Sequence, residues 1–330
     1  MERRKKRSRL FLLTISMLVT VMMLGTSTFA WFTANRTVTV DTIQVNIAAS
    51  GGIQISEDGS SWRSLVTQAQ LLAADVTYAA AVNQIPGTMT AHSTGLAVDG
   101  SGLMEMYAGS VTADGANFEL STSKSTETHA GSGGFVAFDL FIRLDAAATG
   151  TIYLTPNAGV DFDTIDTGIK NAARIAFVNL GETVIGSNLT TIQALNLGSS
   201  AVVRMWEPNY DSHTAAAITH ALDTYGLTVA DNDSTLVAYD GVIDEMDVID
   251  NIYVEDANYA TYPLLFDNAT TPAIYTDEGF LTYPTAFTLN PGYITKMRIY
   301  MWVEGQDVDC ENSASGANIT FDLQFSLDNS

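Results

Sequence analysis

The chain has 330 residues, 15 of them Lys or Arg and 37 Asp or Glu, a formal net charge of −22 and a single cysteine. Such a charge repels nucleic acid and anionic membrane surfaces. One cysteine forms no disulfide within a chain, so the fold rests on its core, for which about 300 residues are ample.

Six basic residues, Arg3, Arg4, Lys5, Lys6, Arg7 and Arg9, precede an apolar run from Leu10 to Leu24, which leads into Gly25-Thr-Ser-Thr-Phe-Ala30. A positive start, an apolar middle and a small-residue exit are the parts of a secretory signal, with the cut expected between Ala30 and Trp31. Residues 10–30 reach roughly 30 Å as a helix, just enough to cross a bilayer, so an uncleaved membrane anchor is the alternative. No second apolar run follows, and the C-terminus carries neither LPxTG nor a hydrophobic tail. Losing residues 1–30 removes those six basic residues and Glu2, leaving 9 basic and 36 acidic residues, a formal −27. Residues 31–330 are expected to form one extracellular or cell-surface β-sandwich domain.

The first strand runs to Ile47. Val38 and Val40 share one parity, and Ile43, Val45 and Ile47 the other. The change near Asp41-Thr42 predicts a bulge or bend. Gly51 to Gly59 reads as strand then turn, and Trp62 to Ala81 as a helix or two short elements. Ala108–Gly134, rich in Ser, Thr and Gly, reads as a long surface excursion. Phe135–Leu144 places Val136, Phe138, Leu140, Ile142 and Leu144 on one face, and Thr151–Thr155 and Arg174–Leu180 are shorter strands. Thr214–Tyr225 predicts about three helical turns ended by Gly226. Asp231–Asn258 reads as a second, acidic excursion. Met297, Ile299, Met301 and Val303 alternate with polar or larger residues, and Ile319, Phe321, Leu323, Phe325 and Leu327 do so most regularly. With no βαβ rhythm, this predicts an all-β, jelly-roll-like antiparallel β-sandwich with long loop insertions and a few short helices, behind the N-terminal signal or hydrophobic helix.

Catalytic signatures are absent: there is no HExxH, GxSxG, P-loop or GxGxxG. His213 and His220 are about 10 Å apart by helical rise, too far to share a zinc without other ligands. Three acidic groups offer oxygen: Asp161, Asp163 and Asp166; Asp231 and Asp233; Asp307 and Asp309. Calcium takes about six to eight oxygens, which such loops supply in part, though none follows the EF-hand pattern. Turn chemistry explains the same residues. Cys310 reads as a small core residue.

The join Thr28-Phe29-Ala30-Trp31-Phe32-Thr33-Ala34-Asn35, with the strand up to Ile47, resembles the TasA/camelysin family of exported Gram-positive proteins. Phe138-Asp139-Leu140-Phe141, Ala173-Arg174-Ile175-Ala176-Phe177, Trp206-Glu207-Pro208-Asn209 and Trp302 through Cys310 resemble a wider group of exported Firmicute proteins. The TasA resemblance implies a jelly-roll subunit of an extracellular biofilm-matrix fibre, released by a dedicated signal peptidase. It implies that residues 31–47 enter a groove of the next copy or of a related matrix subunit, with Val38, Val40, Ile43, Val45 and Ile47 as plugs. Head-to-tail strand donation does not close, and so makes filaments. The camelysin protease assignment is not carried over, because no zinc motif matches. Two alternatives stand beside this one: a monomeric adhesin or calcium-dependent glycan binder, using Trp206, Tyr239, Tyr253, Tyr259 and Tyr262 to stack on sugars, and an exported hydrolase.

Overall fold

The computed structural model describes residues 39–50, 52–114, 117–128, 133–144, 149–162, 167–209, 212–225, 252–253, 274–275, 282–305, 307, 309–310, 316 and 318–327. Strand is the dominant element. The most regular sequence pattern gives the clearest strand: β16 (Asn318–Ser326) buries Ile319, Phe321, Leu323 and Phe325 and leaves the intervening residues partly wet. β16 is flanked by β1 (Thr39–Ala49) on one side and by β8 (Gly150–Leu154) and β9 (Gly159–Phe162) on the other. β14 (Thr285–Leu289) follows β8, and β3 (Leu65–Thr67) pairs with β1.

The second layer is built on β15 (Tyr293–Glu304). It pairs along its length with β10 (Ala173–Val184) and β7 (Val136–Leu144), and β7 carries β2 (Ile53–Ser56). β11 (Val202–Glu207) and β13 (Ile274–Tyr275) extend the sheet beyond β10. β4 (Thr88–Val98) joins the layers: Thr88–Thr90 pair with β1, whereas Ala91 and His92 pair with β15. Phe177 of the second layer meets Phe287 and Phe325 of the first at centroid distances of 5.9 and 6.1 Å, so the two layers pack through an aromatic contact.

The all-β sandwich expected from the sequence is the observed architecture, with two corrections. The sheets are mixed, not antiparallel: β1 with β16, β4 with β15 and β11 with β13 run parallel. Long connections make this possible, because parallel neighbours need only a crossover of sufficient length. The second correction concerns residues 108–134. Most of that stretch is a hairpin of β5 (Met104–Asp114) and β6 (Asn117–Ser125), and β12 (Ile252–Tyr253) adds to β6. Its Ser and Thr side chains hide the period-two pattern while suiting the pleat.

Helices are short. α1 (Gln68–Leu72) starts at the Thr67 cap, where Gln70 folds back onto the Thr67 N–H at 2.9 Å. α2 (Leu189–Gln193) is capped by Asn188, and α3 (Ala215–Tyr225) occupies the stretch predicted for it. Among the described residues no helix is long and apolar enough to cross a membrane; residues 10–30 lie outside them.

β15 is buried on both faces. Met297, Ile299, Met301 and Val303 enter the apolar core, while Lys296, Arg298, Tyr300 and Trp302 face a second, polar layer. There Arg298 Nη1 donates to Asp139 Oδ1 at 2.7 Å, and Lys296 Nζ lies 3.2 Å from Asp139 Oδ2. Lys296 also donates to Tyr78 Oη at 2.8 Å, and Tyr78 donates to Asp139 at 2.8 Å.

The turn after β2 is organised by Asp58, whose carboxylate accepts from the Ser60 and Ser61 N–H groups and from the Ser60 and Thr77 hydroxyls. Burial pushes this carboxyl up, but those hydrogen bonds outweigh it and hold the group well below the usual carboxylate range. A depressed carboxyl contributes stability that is complete above the unfolded value, about 4, and is lost as pH falls towards the folded value. Asp58→Asn is therefore expected to flatten the acid limb of a stability–pH curve below about pH 4 by close to one proton. Urea titrations at several pH values check this. An unchanged slope would mean that the turn does not bind the charged form selectively.

Candidate functional site

A buried charged centre lies where β10, β11 and β15 meet α3. Arg174, the second residue of β10, is wholly buried. Its Nη2 lies 2.7 Å from Glu207 Oε1 at the end of β11 and 2.6 Å from Asp307 Oδ2 beyond β15, and its Nη1 donates to the Asn171 and Ala173 carbonyls. Glu304 closes β15, donates its N–H to Ala172 at 2.7 Å and accepts from the Trp302 indole at 3.1 Å. Asp309 is the hub of the other half. Its Oδ1 accepts from the Thr214 N–H and hydroxyl, both at 3.0 Å, and its Oδ2 bonds His213 Nδ1 at 2.8 Å. Asp309 N–H in turn donates to Asp307 Oδ1 at 2.8 Å.

The local sequence explains this closeness. Gly168 sits at φ +84°, and a Cβ there would fall 2.5 Å from Thr214 Cγ2 and 2.9 Å from Asp309 Oδ1. Only glycine lets the 168–173 turn approach so closely. Ala172 and Ala173 are fully buried, leaving room for the guanidinium.

The acids share one low-dielectric volume. Burial above all pushes the Glu207 carboxyl up, to about 8, against the pull of Arg174 and with the help of Asp307 and Glu304. For His213 burial favours the neutral ring, but the hydrogen bond to Asp309 and the charges of Asp307, Asp309 and Glu207 outweigh it and raise the pKa. Cys310 is a free thiol packed against the core, and burial followed by the same acids pushes its pKa up. A raised pKa keeps the thiol protonated; the side chain touches the core expected from the sequence but is only partly buried.

The predicted site residues have separate fates. Asp307 and Asp309 come together, but with Arg174, Glu207, Glu304 and His213, none of which the sequence reading joined to them. Asp161 is an exposed residue of β9 that pairs with Thr320. Asp163, Asp166, Asp231 and Asp233 lie outside the described residues, as do Ala30, Trp31 and Val38. Val40 and Ile43 are on β1, and Val45 and Ile47 are core residues beside Phe321 and Leu323. The bend expected near Asp41-Thr42 is a register shift between Asp41 and Ile43. Trp206 is fully buried, which corrects its reading as a sugar platform: it lies in the sheet core, on β11 between β10 and β13. Tyr239, Tyr259 and Tyr262 lie outside the described residues, and Tyr253 is on β12.

His92, unremarkable in the sequence, pairs its Nε2 with Ser125 Oγ at 2.9 Å and its Nδ1 with the Thr90 carbonyl at 2.9 Å. Burial lowers its pKa. A serine–histidine pair whose orienting group is a neutral carbonyl offers no counter-charge for an imidazolium, so the arrangement suits a satisfied core histidine better than a nucleophile and base.

Comparison with family models, with characterised protein sequences and with solved structures finds no match to this chain. The reading of function therefore stands on the residues and their arrangement.

Proposed function

We propose that the chain is a secreted structural protein, a subunit of an extracellular or cell-surface filament, and that its N-terminal strand is the element exchanged between neighbouring copies. What supports this reading is the resemblance of the join at residues 28–35 and the strand after it to exported matrix-fibre subunits; against it stands the seat of β1, a central strand of its own chain. Its hydrogen bonds go to β16, the C-terminal strand, over Asp41–Ala49, and to β4 and β3 on the other side. In the single chain β1 fills this slot itself, contrary to the expectation of a free strand meeting an open groove, so filament formation requires β1 to leave its own chain and exchange. A β1 from another copy would make the same backbone bonds and bury the same Val45 and Ile47.

Two features favour release. The link from β1 to β2 includes Gly52 at φ +88°, a conformation glycine adopts without strain. The register shift also interrupts the β1–β16 ladder. Opposing release is the exposure of two core aliphatics, about 1.5–3 kcal/mol each, so assembly would be slow unless assisted. The exported, acidic, soluble character argued from residues 1–30 and from the charge belongs to the same proposal.

The test compares the chain beginning at Trp31 with one beginning at Gly51, by negative-stain microscopy and size exclusion. Filaments from the first and none from the second are expected. If both stay monomeric at high concentration, strand exchange is not the function.

A further inference from the structure

The polar layer behind β15 sets an amine against a carboxyl group with little access for water. Asp139 on β7 faces Arg298 across the ladder, and Lys296, one pleat along the same face of β15, stands diagonal to it. Lys296, Asp139, Tyr78 and Arg298 are each at most 6 % exposed. Lys296 Nζ lies 3.2 Å from Asp139 Oδ2, and 5.4 and 5.9 Å from the ring centroids of Tyr78 and Phe141.

The two carboxyl oxygens have different neighbours. Arg298 Nη1 donates to Oδ1 at 2.7 Å, where negative charge would develop if the carbon were attacked. Tyr78 Oη donates to Oδ2 at 2.8 Å and accepts from Lys296 Nζ at 2.8 Å, so one hydroxyl bridges the amine and the oxygen that would leave. The paired backbones of β7 and β15 fix both ends, and Asn83 accepts from the Asp139 N–H at 3.0 Å. Reactants held in good orientation act at effective concentrations of about 10⁵ M or more.

The product would suit the layer as well as the ion pair does. Lys296 and Arg298 face the carboxylates of Asp139 and Glu127. Joining Lys296 to Asp139 removes one charge of each sign and leaves Arg298 paired with Glu127. The amide oxygen keeps Arg298, and its N–H has the Gln193 carbonyl, 3.0 Å from Nζ. Tyr78 Oη is 3.2 Å from the same carbonyl and can turn its proton to it. Burial makes ions costly and so favours the neutral product.

We propose that Lys296 and Asp139 condense after folding into an amide that ties β7 covalently to β15. A proton first passes from Nζ through Tyr78 to Oδ2. The Nζ lone pair then attacks Cγ, and Arg298 holds the charge on Oδ1. A second Nζ proton follows the same route to Oδ2, which leaves as water. One N–C bond forms, one C–O bond breaks and no further reactant is needed. Burial pushes the Asp139 carboxyl up, but Arg298 and Lys296 outweigh it and hold the group below its usual range. The freshly folded chain therefore carries the ion pair, and the step is slow. This inference is independent of strand exchange.

The experiment keeps the full purified chain folded for days, then reads its intact mass under denaturing conditions and its tryptic peptides by mass spectrometry. A mass one water below that of the chain's own sequence is expected, with a branched peptide joining Lys296 to Asp139. Lys296→Met should keep the full mass. Tyr78→Phe, which retains the ring, should slow the loss by about a hundredfold. If Lys296→Met fails to fold by circular dichroism, the branched peptide and Tyr78→Phe decide. Full mass after the long incubation, a water loss that persists in Lys296→Met, a loss with no branched peptide, or an unchanged rate in Tyr78→Phe overturns the proposal.

Discussion

Arg298→Ala is expected to cost the fold about 3–5 kcal/mol, lowering the urea midpoint with little change in slope. The guanidinium holds a polar layer together from the buried face of β15. It donates to Asp139 at 2.7 Å, to the Val82 carbonyl at 2.7 Å and to Tyr300 Oη at 3.1 Å, and it pairs with Glu127. Truncation takes the guanidinium away from two buried carboxylates and a carbonyl in a volume with little access for water. Lys296 and Tyr78 still serve Asp139 and Tyr300 Oη still donates to Glu127, but alanine supplies no cation beside Glu127. The penalty comes from the groups left behind rather than from the lost pair, because a buried ion pair as a whole adds little. A double variant that also neutralises Glu127, Arg298→Met with Glu127→Gln, should therefore recover part of the loss. A single-variant cost below about 1 kcal/mol would mean that these carboxylates are well hydrated and the layer is no structural unit.

That layer also shows where the sequence is readable and where it is not. The alternation of Ile319, Phe321, Leu323 and Phe325 carries a local, period-two signal, and β16 follows it residue by residue. The same signal marks Met297 to Val303 on β15, but it says nothing about the opposite face, where Lys296 and Arg298 look solvent-bound. They are buried because Tyr78, Gln193 and the Val82 carbonyl, distant in the chain, fold over them. The charged centre is harder still. Asp307 and Asp309 stand out as a pair, yet Arg174 and Glu207 lie within predicted or apolar strand ends, and His213 sits just before a helix. Their meeting depends on the register Arg174↔Trp302 and on the glycine at 168, neither of which a pattern within one segment encodes. The one available hint was composition: an arginine in the otherwise apolar run Ala172-Ala173-Arg174-Ile175-Ala176 demands a buried partner. Parallel pairing of β1 with β16 was likewise beyond reach, since period-two alternation is the same for either strand direction.

Phe325→Ala is expected to lower stability by about 3–5 kcal/mol, whereas Phe325→Leu should cost less than about 1.5 kcal/mol. The ring is wholly buried, 5.3 Å from Phe287 in its own layer and 6.1 Å from Phe177 in the other, so its loss opens a cavity between the sheets where three aromatics are fixed by one another. The same residue borders the slot of β1. Its carbonyl accepts from Ser50 N–H at 3.0 Å, and its Cα lies in register with Ala49. Under strand exchange the closed monomer and the filament contain identical contacts around this residue, so the cavity destabilises both alike. Their balance should hold while the opening of β1, which passes through a looser state, becomes faster. Phe325→Ala is then expected to shorten the lag before filaments appear without changing their final amount, provided that temperature and denaturant keep the variant folded. Light scattering with negative-stain counts at the plateau measures both quantities. A lag that stays the same or lengthens, in a variant shown by its urea midpoint to carry the cavity, would separate the strength of the sheet–sheet contact from the seat of β1 and remove the kinetic basis for exchange.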